Sequence, residues 1–587
     1  MAGHIYKKTI KGNTYYYYQE NYREKITATT TAEISGKTKG TGKSRVKSKS
    51  IYLGTAEQIH TLVKNNRQIP QVVKKRAFGL VAAAYQTAKE IGLTEVLAKH
   101  ITGTRYGIPR WIFFLVTMIN RLDNATSKNK MCEWIKATIL PDILRFDTSK
   151  LNSKNYWYIT DDVISEEETL SKRAQGEKDK KEEDIFSGLD DHTFIEIEKE
   201  LFTKLQPYFG DHHDTLIYDT TNFYTFFESD EFSDLAQTGH NKDSRHHLKQ
   251  VGLAMAIERN VGLPFFHRVY RGNRQDALVF SKVIEDIITN VKSAFPKLND
   301  LVLVLDKGNN SAKNFNVLDG KITWVGSLAP SKYLELVEIP LEQYQNISSN
   351  YKAFHCLKSV MGKERLLVMT YNQELAKKQE HTLQHGITKL IAGLNEKYNS
   401  YQHKPNAITR GLKSILSDSH YHDCIEIGFD ATGMKIACNN EAILKRRKTF
   451  GKNLLFTSKT DAAVEWVIAQ YKERNNIEDI FRTLKDVELI RIRPIRHFTD
   501  SKIRAHIFCC VMSFLLIRMM QLKAQRAGID MSPIILKEEL SDLEEVIMIY
   551  DNHQADIKIT QPSAVQRKLF NLFQLEKIQD QLTIHYN

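Results

Sequence analysis

Cysteine is scarce in this chain of 587 residues, which has six, and no two of them form a C-x-x-C pair. Their spacing therefore argues against a zinc ribbon. Long apolar runs are also missing, because the longest, Ile112–Ile119 and Val511–Ile517, are too short to cross a bilayer. The first residues do not resemble a signal peptide. We therefore expect a cytoplasmic protein in a reducing, aqueous compartment, with no membrane partner.

Positive charge is in excess and unevenly distributed. The formal net charge is +13. Residues 1–50 contain eleven Lys and Arg against three Glu, whereas residues 161–200 contain fifteen acids against six bases. A basic excess suits a polyanionic partner, because Lys and Arg near phosphates release condensed counterions. A soluble basic protein with no such partner has the same composition, so charge alone does not identify the partner.

The start of the chain predicts a small β-rich unit followed by helices. Tyr15–Tyr18 and Ser50–Gly54 have the composition of strands, and the Lys, Gly, Ser and Thr residues of 35–50 predict a basic loop between them. From Phe78 to Leu144 the apolar residues recur at helical spacing. Residues 160–195 are highly charged and predict an exposed connector.

The middle of the chain predicts an α/β domain. Its pattern is three strands at 215–218, 248–257 and 263–270, a helix at 276–291, a strand at 301–305, a further helix and a fifth strand at 321–328. The continuous apolar run Leu301–Leu305 is typical of a strand buried on both faces. A mixed five-stranded sheet flanked by helices accommodates this order.

The pattern then changes and later returns. Residues 330–452 contain a strand-like segment at 364–371, a polar helix near 373–398 and short strand-like runs at 424–444, which we interpret as a β-rich insertion. A strand at 453–458 and a helix with Asp461 at its N-cap resume the α/β pattern. The predicted regions are 1–75 (basic, β-rich, able to contact DNA), 76–158 (helical), 159–210 (charged connector and helix), 211–329 (core, first part), 330–452 (insertion), 453–525 (core, second part) and 526–587 (helical).

Acidic residues stand at notable positions in this pattern. Asp219 and Asp306 each follow an apolar strand, although a single Asp at a strand end commonly serves a turn. The helix after Asp461 has a polar row on one face at about 100° per residue, made of Tyr471, Arg474, Glu478 and Lys485. The simplest interpretation of Arg474 and Glu478 is an i, i+4 salt bridge.

The spacing of that row carries a resemblance to a known family. Y-x2-R-x3-E-x6-K in YKERNNIEDIFRTLK resembles the signature around the catalytic glutamate of DDE transposases of bacterial insertion sequences, in the branch called the IS-Four type. Tyr218–Thr221 resembles the first-aspartate motif. Leu305–Gly308 resembles the second, although Arg often stands where Lys307 does. Three further blocks are also similar, namely 239–251, 272–276 and 491–497.

The resemblance implies an RNase H-like catalytic core and an enzyme that binds the inverted-repeat ends of its element, cleaves them by hydrolysis and joins the 3′-hydroxyl ends to target DNA. It implies that Asp219, Asp306 and Glu478 are catalytic and hold two Mg²⁺ ions, which Mn²⁺ can replace. Carboxylate oxygens suit these ions, and a metal pair suits in-line displacement at phosphorus.

The resemblance also implies DNA contacts and an assembly, in which region 76–158 is expected to bind the DNA ends and region 526–587 to serve dimerisation. Tyr471, Arg474 and Lys485 are expected at the phosphates of the DNA end. From the matched blocks we add, as further DNA-binding residues, Arg245, Lys249, Arg493 and Arg496. The partners are then double-stranded DNA and a second copy of the chain in a synaptic complex, at the bacterial nucleoid.

Two alternatives remain open. An RNase H-like nuclease would share the metal site without strand transfer, but the signature helix and the long insertion argue against it. A DNA-binding protein derived from a transposase would have lost catalysis, but all three carboxylates are present.

Overall fold

A computed structural model describes residues 3–10, 13–25, 44–59, 70–163, 192–209, 215–226, 233–239, 247–294, 301–400, 405–430, 433–550 and 555–586. The strands are β1 (His4–Ile10), β2 (Asn13–Lys25), β3 (Ser44–Thr55), β4 (Val72–Ala77), β5 (Thr104–Arg105), β6 (Ile108–Pro109), β7 (Thr215–Tyr224), β8 (Gln237–Thr238), β9 (Lys249–Glu258), β10 (Pro264–Arg271), β11 (Val302–Leu305), β12 (Thr323–Leu328), β13 (Gln345–Ser348), β14 (Tyr351–Val360), β15 (Lys363–Asn372), β16 (Ile425–Asp430), β17 (Gly433–Cys438), β18 (Lys452–Thr457), β19 (Glu544–Ile549) and β20 (Ala555–Ile559).

The helices lie between and after these strands. They are α1 (Gly79–Glu90), α2 (Leu93–His100), α3 (Arg110–Asp123), α4 (Met131–Lys136), α5 (Leu140–Leu144), α6 (Ser153–Val163), α7 (His192–Leu205), α8 (Asp276–Ala294), α9 (Ala312–Leu318), α10 (Leu334–Val337), α11 (Gln373–Ser400), α12 (Pro405–Asp418), α13 (Asn440–Arg447), α14 (Val464–Lys472), α15 (Asn475–Lys485), α16 (Asp500–Arg526), α17 (Pro533–Ser541), α18 (Ala564–Leu572) and α19 (Leu575–Tyr586).

The chain forms two compact units, and the smaller one is β-rich as predicted. It comprises Met1–Lys75 and Glu545–Lys558. One antiparallel sheet has the order β1-β2-β3, and a second has the order β20-β19-β4. Two expectations need correction here. Residues 44–50 belong to β3 rather than to a loop, and region 526–587 contains β19 and β20 in addition to helices.

The larger unit comprises Arg76–Glu544 and Ile559–Asn587 and is built on a ten-stranded mixed sheet. Its first five long strands have the spatial order β10-β9-β7-β11-β12. In sequence order this is 3-2-1-4-5, with β11 parallel to β7 and β12 and with β9 antiparallel to both β7 and β10. The buried run Val302–Leu305 lies between two parallel neighbours, as a strand covered on both faces should.

The sheet does not end at its fifth strand, contrary to the five-stranded prediction. β18 pairs antiparallel with β12, and β15, β14 and β13 continue the sheet beyond it. Part of the segment 330–452 is therefore an extension of the central sheet. The rest is a helical pair, α11 and α12, with the short hairpin of β16 and β17. It is thus mixed rather than β-rich, and residues 440–447 are helical where short strands were expected.

The glutamate-bearing segment also differs from its prediction. Asp461 is not an N-cap, because α14 begins at Val464 with Ala463 before it. The helix stops at Lys472, and a second helix, α15, begins at Asn475 after the turn of Glu473 and Arg474. The apolar stripe expected on α15 is confirmed, since its buried residues are Ile477, Ile480, Phe481 and Leu484.

The long helix α16 crosses the interior of this unit. It is long and apolar enough to span a membrane, but 94% of its apolar window is buried inside the protein. A helix that is covered on all sides in this way is a core helix. Cys509 and Cys510 lie on it and are buried. The predicted helical region after Phe78 is also confirmed, with α1 to α6 between Gly79 and Val163.

Candidate active site

Two aspartates are brought together by the register of parallel strands. Leu305 of β11 is paired with Tyr218 of β7, so Asp306 and Asp219 follow two paired residues on neighbouring strands. Such strands lie about 4.8 Å apart, and residues in register point to the same face. Asp306 ends its strand as predicted. Asp219 does not, because β7 continues to Tyr224, and its Oδ1 accepts a hydrogen bond from the N–H of Thr220 at 2.7 Å.

Glu478 reaches the same place from a distant part of the chain. It lies in the first turn of α15, which packs on β7 through its apolar stripe. Glu478 lies at the edge of that stripe, next to Ile477 and one turn before Phe481, and its side chain is half exposed. Glu478, Asp219 and Asp306 together line one open cleft of about 500 Å³.

Arg474 joins two of these carboxylates. Its Nη1 lies 3.2 Å from Oδ1 of Asp306, and its Nη2 donates to Oε1 of Glu478 at 2.9 Å. The i, i+4 salt bridge predicted for Arg474 and Glu478 is therefore confirmed. Burial lowers the pKa of Arg474, but Tyr471, Asp306 and Glu478 outweigh it and raise that pKa above its usual value. The guanidinium is thus a fixed positive charge among the acids.

Tyr471 contacts the second aspartate from the preceding helix. Its hydroxyl oxygen lies 2.7 Å from Oγ of Ser327 on β12 and 3.4 Å from Oδ1 of Asp306. Burial raises the pKa of Tyr471 to about 12, so the phenol is neutral at physiological pH. The hydroxyl therefore bridges the end of β12 to Asp306.

The cleft has the right donors for a divalent metal, but they are held apart. Three carboxylates from separate elements provide hard oxygen ligands of the kind that Mg²⁺ prefers. Among the described residues, however, no three acidic, histidine or cysteine side chains are close enough to hold a metal ion as they stand. Arg474 is bonded to both Asp306 and Glu478. The chemistry of the donors therefore fits a divalent metal, whereas their present separation does not place three of them around one ion.

The predicted DNA-binding residues are divided between this cleft and other places. Arg474, Lys485 and Arg493 line the cleft, and Tyr471 touches Asp306 at its wall. Lys485 also lies with its Nζ 5.7 Å from the ring centre of Phe223.

Two further predicted residues, Lys249 and Arg496, do not line the cleft. Gln250, next to Lys249, is paired with Tyr224, five residues and about 17 Å along β7 from Asp219. Arg496 lines a separate cavity. Residues 491–496 form no strand among the described elements. Arg245 lies outside the described residues.

Some cleft residues were missed by sequence reasoning. Arg482, Asp486 and Thr221 also line it, and Ser327 contacts Tyr471. The helical spacing of α15 could have indicated Arg482, since it is four residues after Glu478 and lies on the same face of the helix. Ser327 carried no signal, because its position depends on the pairing of β12.

A family model described as "Transposase DDE domain" matches residues 210–516, which is more than half of the chain and includes all three carboxylates. No curated protein matches. Among solved structures, the chain resembles "Cryo-EM structure of piggyBac transposase synaptic complex with hairpin DNA (SNHP)", with 9% sequence identity over 79% of this chain and 77% of that chain and a TM-score of 0.38.

Proposed function

The chain belongs to the transposase DDE domain family, and we propose that it is an active DNA transposase whose catalytic residues are Asp219, Asp306 and Glu478. The observation that carries this proposal is their convergence. Three carboxylates from two neighbouring strands and one helix, far apart in sequence, line a single open cleft inside the region that matches the family.

The strand order supports an RNase H-like core for this chain. Its first five long strands follow the order 3-2-1-4-5, with a carboxylate on the first strand, another just after the fourth and a third on a later helix. We infer that the extension formed by β13 to β15 and α11 to α13 is an insertion into that core, located between its fifth strand and the glutamate helix.

The reaction we propose is hydrolysis of a phosphodiester at each inverted-repeat end, followed by attack of the free 3′-hydroxyl on target DNA. Asp219, Asp306 and Glu478 would hold two Mg²⁺, or Mn²⁺ in their place. Bound metal would activate the attacking oxygen and stabilise the leaving oxygen. Tyr471 keeps Asp306 in place through its hydroxyl. Arg474 separates two of the acids until DNA arrives, and a backbone phosphate can then take its guanidinium, because Arg grips phosphate bidentately.

The DNA contacts, family branch, assembly and location that we propose rest on the spacing of Tyr471, Arg474, Glu478 and Lys485. We propose Arg474, Lys485 and Arg493 as contacts to double-stranded DNA at the cleft, and Tyr471 beside them. The Y-x2-R-x3-E-x6-K spacing supports the IS-Four type of bacterial insertion sequence, a homodimeric synaptic complex and a cytoplasmic, nucleoid-associated location. Lys249 and Arg496 would contact DNA outside the cleft.

The decisive experiment separates cleavage from binding. The purified full chain is incubated with supercoiled plasmid and Mg²⁺ or Mn²⁺, and nicking is followed on gels. Transfer of a labelled oligonucleotide with a free 3′-hydroxyl into the plasmid is followed in parallel. We expect Asp219→Asn, Asp306→Asn and Glu478→Gln each to abolish both products while duplex binding, measured by fluorescence anisotropy, is retained.

The matched control is Asp479→Asn. Asp479 is the next acid on the same helix, is exposed, and pairs with Arg482. This variant should nick and join as the wild type does. Nicking at the wild-type rate by any of the three carboxylate variants would contradict the assignment of that residue. Nicking without joining would instead indicate a nuclease, and binding without either would indicate a transposase-derived DNA-binding protein.

A further inference from the structure

A second cavity shares Arg493 with the cleft, and the proposed reaction does not use it. It has a volume of about 420 Å³ and is enclosed by α3, α6, the beginning of α16 and residues 491–498. That volume is within the range of about 300–1,000 Å³ typical of small-molecule sites. We call it the basic cavity.

The charge of the basic cavity has one sign. Among the described residues, six cationic side chains line it and no Asp or Glu does, the six being Arg121, Lys128, Arg491, Arg493, Arg496 and Lys502. The nearby acid Asp161 is paired with Lys502 and receives a hydrogen bond from Ser501. This lining makes the interior of the cavity positive. A cavity of this kind repels metal ions and attracts anions.

Two of these cations have unused binding capacity. Nε of Arg121 is buried and has no hydrogen-bond acceptor among the described residues, although Nη2 donates to the carbonyl of Thr126 at 3.0 Å. Lys128 has no ion pair among the described residues either. Burial and the charge of Lys502 lower the pKa of Lys128 to about 8. A buried donor without an acceptor is costly, so an anion that accepts from Arg121 and Lys128 would stabilise this arrangement.

The remaining wall of the cavity is aromatic. Rings of Phe113, Tyr156, Trp157 and Phe498 line it. Trp157 and Phe498 have ring centroids 5.2 Å apart, and Nζ of Lys502 lies 3.9 Å from the ring centre of Trp157. A bare inorganic anion would pair with the cations without contacting these rings, and an apolar ligand would contact the rings without pairing with the cations. A flat aromatic group that bears phosphate uses both, because bases stack on aromatic side chains while phosphates accept from Arg and Lys.

We propose that the basic cavity binds a nucleotide, with the base against Trp157 and Phe498 and the phosphate at Arg121 and Lys128. Arg493 lines both this cavity and the carboxylate cleft, so the bound nucleotide lies next to the cleft. The nucleotide can come from two sources, a free nucleotide or one nucleotide of a nucleic-acid strand. The inference is independent of the catalytic roles assigned to the three carboxylates.

The test uses the wild-type full chain and isothermal titration with defined probes. These are deoxyadenosine monophosphate, deoxyadenosine, inorganic phosphate and a five-nucleotide single strand. We expect the monophosphate to bind at least about tenfold more tightly than deoxyadenosine or phosphate alone, because both walls contribute. Lys128→Ala and Trp157→Leu should each weaken nucleotide binding by about tenfold or more. Lys130→Ala is the control, since Lys130 is exposed in the same loop and does not line the cavity.

Thermal melting is measured for each variant, so that a folding defect in Trp157→Leu cannot be mistaken for lost binding. If Trp157→Leu is destabilised, the binding measured for Lys128→Ala tests the proposal by itself. Binding of the monophosphate that depends on Lys128 identifies a free-nucleotide site. Binding of the single strand alone, with the same dependence on Lys128, identifies a strand as the source. The proposal is overturned if neither probe loses affinity in Lys128→Ala relative to Lys130→Ala, or if inorganic phosphate binds as tightly as the monophosphate.

Discussion

Nη1 of Arg474 lies 3.2 Å from Oδ1 of Asp306. The same guanidinium also holds Glu478, so a single positive charge offsets two of the three acids in the cleft. Acids gathered in one place repel each other unless a cation lies among them. In this structure Arg474 is that cation. Under the proposed function, Arg474 would compete with a divalent metal for the carboxylates, and a DNA phosphate would compete with the carboxylates for its guanidinium.

The first prediction concerns that competition. Arg474→Ala should raise the affinity of the DNA-free protein for Mn²⁺ by about tenfold, which corresponds to about 1.4 kcal/mol, because Asp306 and Glu478 lose their resident cation. Calorimetric titration of Mn²⁺ into wild type and variant measures this. Lys472→Ala is the control, since it removes an exposed positive charge from the preceding helix without touching the cleft. Equal or weaker metal binding by Arg474→Ala would show that the guanidinium does not compete.

The second prediction concerns DNA. Lys485 lines the cleft at the end of α15, and we expect it to contact one phosphate. Lys485→Ala should then reduce the slope of log K against log salt by about 0.9 and weaken binding to all duplex sequences alike. Anisotropy titrations at several salt concentrations give the slope. Lys485→Arg keeps the charge and should keep the slope, and an unchanged slope in Lys485→Ala would exclude the contact.

The third prediction concerns the extension of the sheet. Asp319, just after α9, accepts two hydrogen bonds from Arg365 of β15 at 2.8 and 2.6 Å. Lys363 lies 2.9 Å from the same carboxylate. Burial raises the pKa of Asp319, but hydrogen bonds from Arg365, Lys363 and Trp324 outweigh it and lower that pKa below its ordinary value.

A carboxyl group whose pKa is lowered by folding stabilises the folded state at pH values above its unfolded-state pKa of about 3.9. This stabilisation is lost as pH falls through the pKa of the folded state. Asp319→Asn should therefore be less stable than wild type near neutral pH, by about 3 kcal/mol because it leaves the buried Arg365 without its partner. The difference should shrink below about pH 4. Urea unfolding across this pH range measures it. Glu335→Gln, which removes an exposed partner of Lys358, is the control and should leave the dependence of the unfolding free energy on pH unchanged. If Asp319→Asn differed from wild type by the same free energy at every pH, the pKa of Asp319 would not contribute to stability as argued.

The sequence indicated the carboxylate cleft better than its surroundings. Asp306 follows a continuous apolar run and Glu478 lies on a helix with a clear apolar stripe, and both of these signals are local. The pairing of β15 with β18 was not predictable in this way, because these strands are about 80 residues apart and nothing in either specifies the other. The break between α14 and α15 was missed because it contains neither proline nor glycine.

Similarity to a family motif also locates a residue relative to the cleft less reliably than strand register does. Lys249 belongs to a block that resembles the family, yet the pairing of β9 with β7 carries it away from Asp219. The salt bridge of Arg474 with Glu478 is a helix-surface property and was predictable from spacing. The contact of Arg474 with Asp306 joins a helix turn to a strand end, so it depends on how α15 packs against the sheet.

The last prediction concerns Tyr471 as a positioning residue. Its hydroxyl oxygen lies between Ser327 and Asp306, so Tyr471→Phe should leave Asp306 less well oriented and lower the rate of metal-dependent nicking by about tenfold. Ser327→Ala should change the rate in the same direction but less, since the phenol can still reach Asp306. Because burial raises the pKa of Tyr471 to about 12, the phenol stays protonated across the usual assay range. The pH–rate profiles of wild type and Tyr471→Phe should therefore have the same shape between about pH 7 and 10. An inflection in the wild-type pH–rate profile within that range that disappears in Tyr471→Phe would assign the hydroxyl to proton transfer. An unchanged nicking rate in Tyr471→Phe would show that Asp306 is oriented without this hydroxyl.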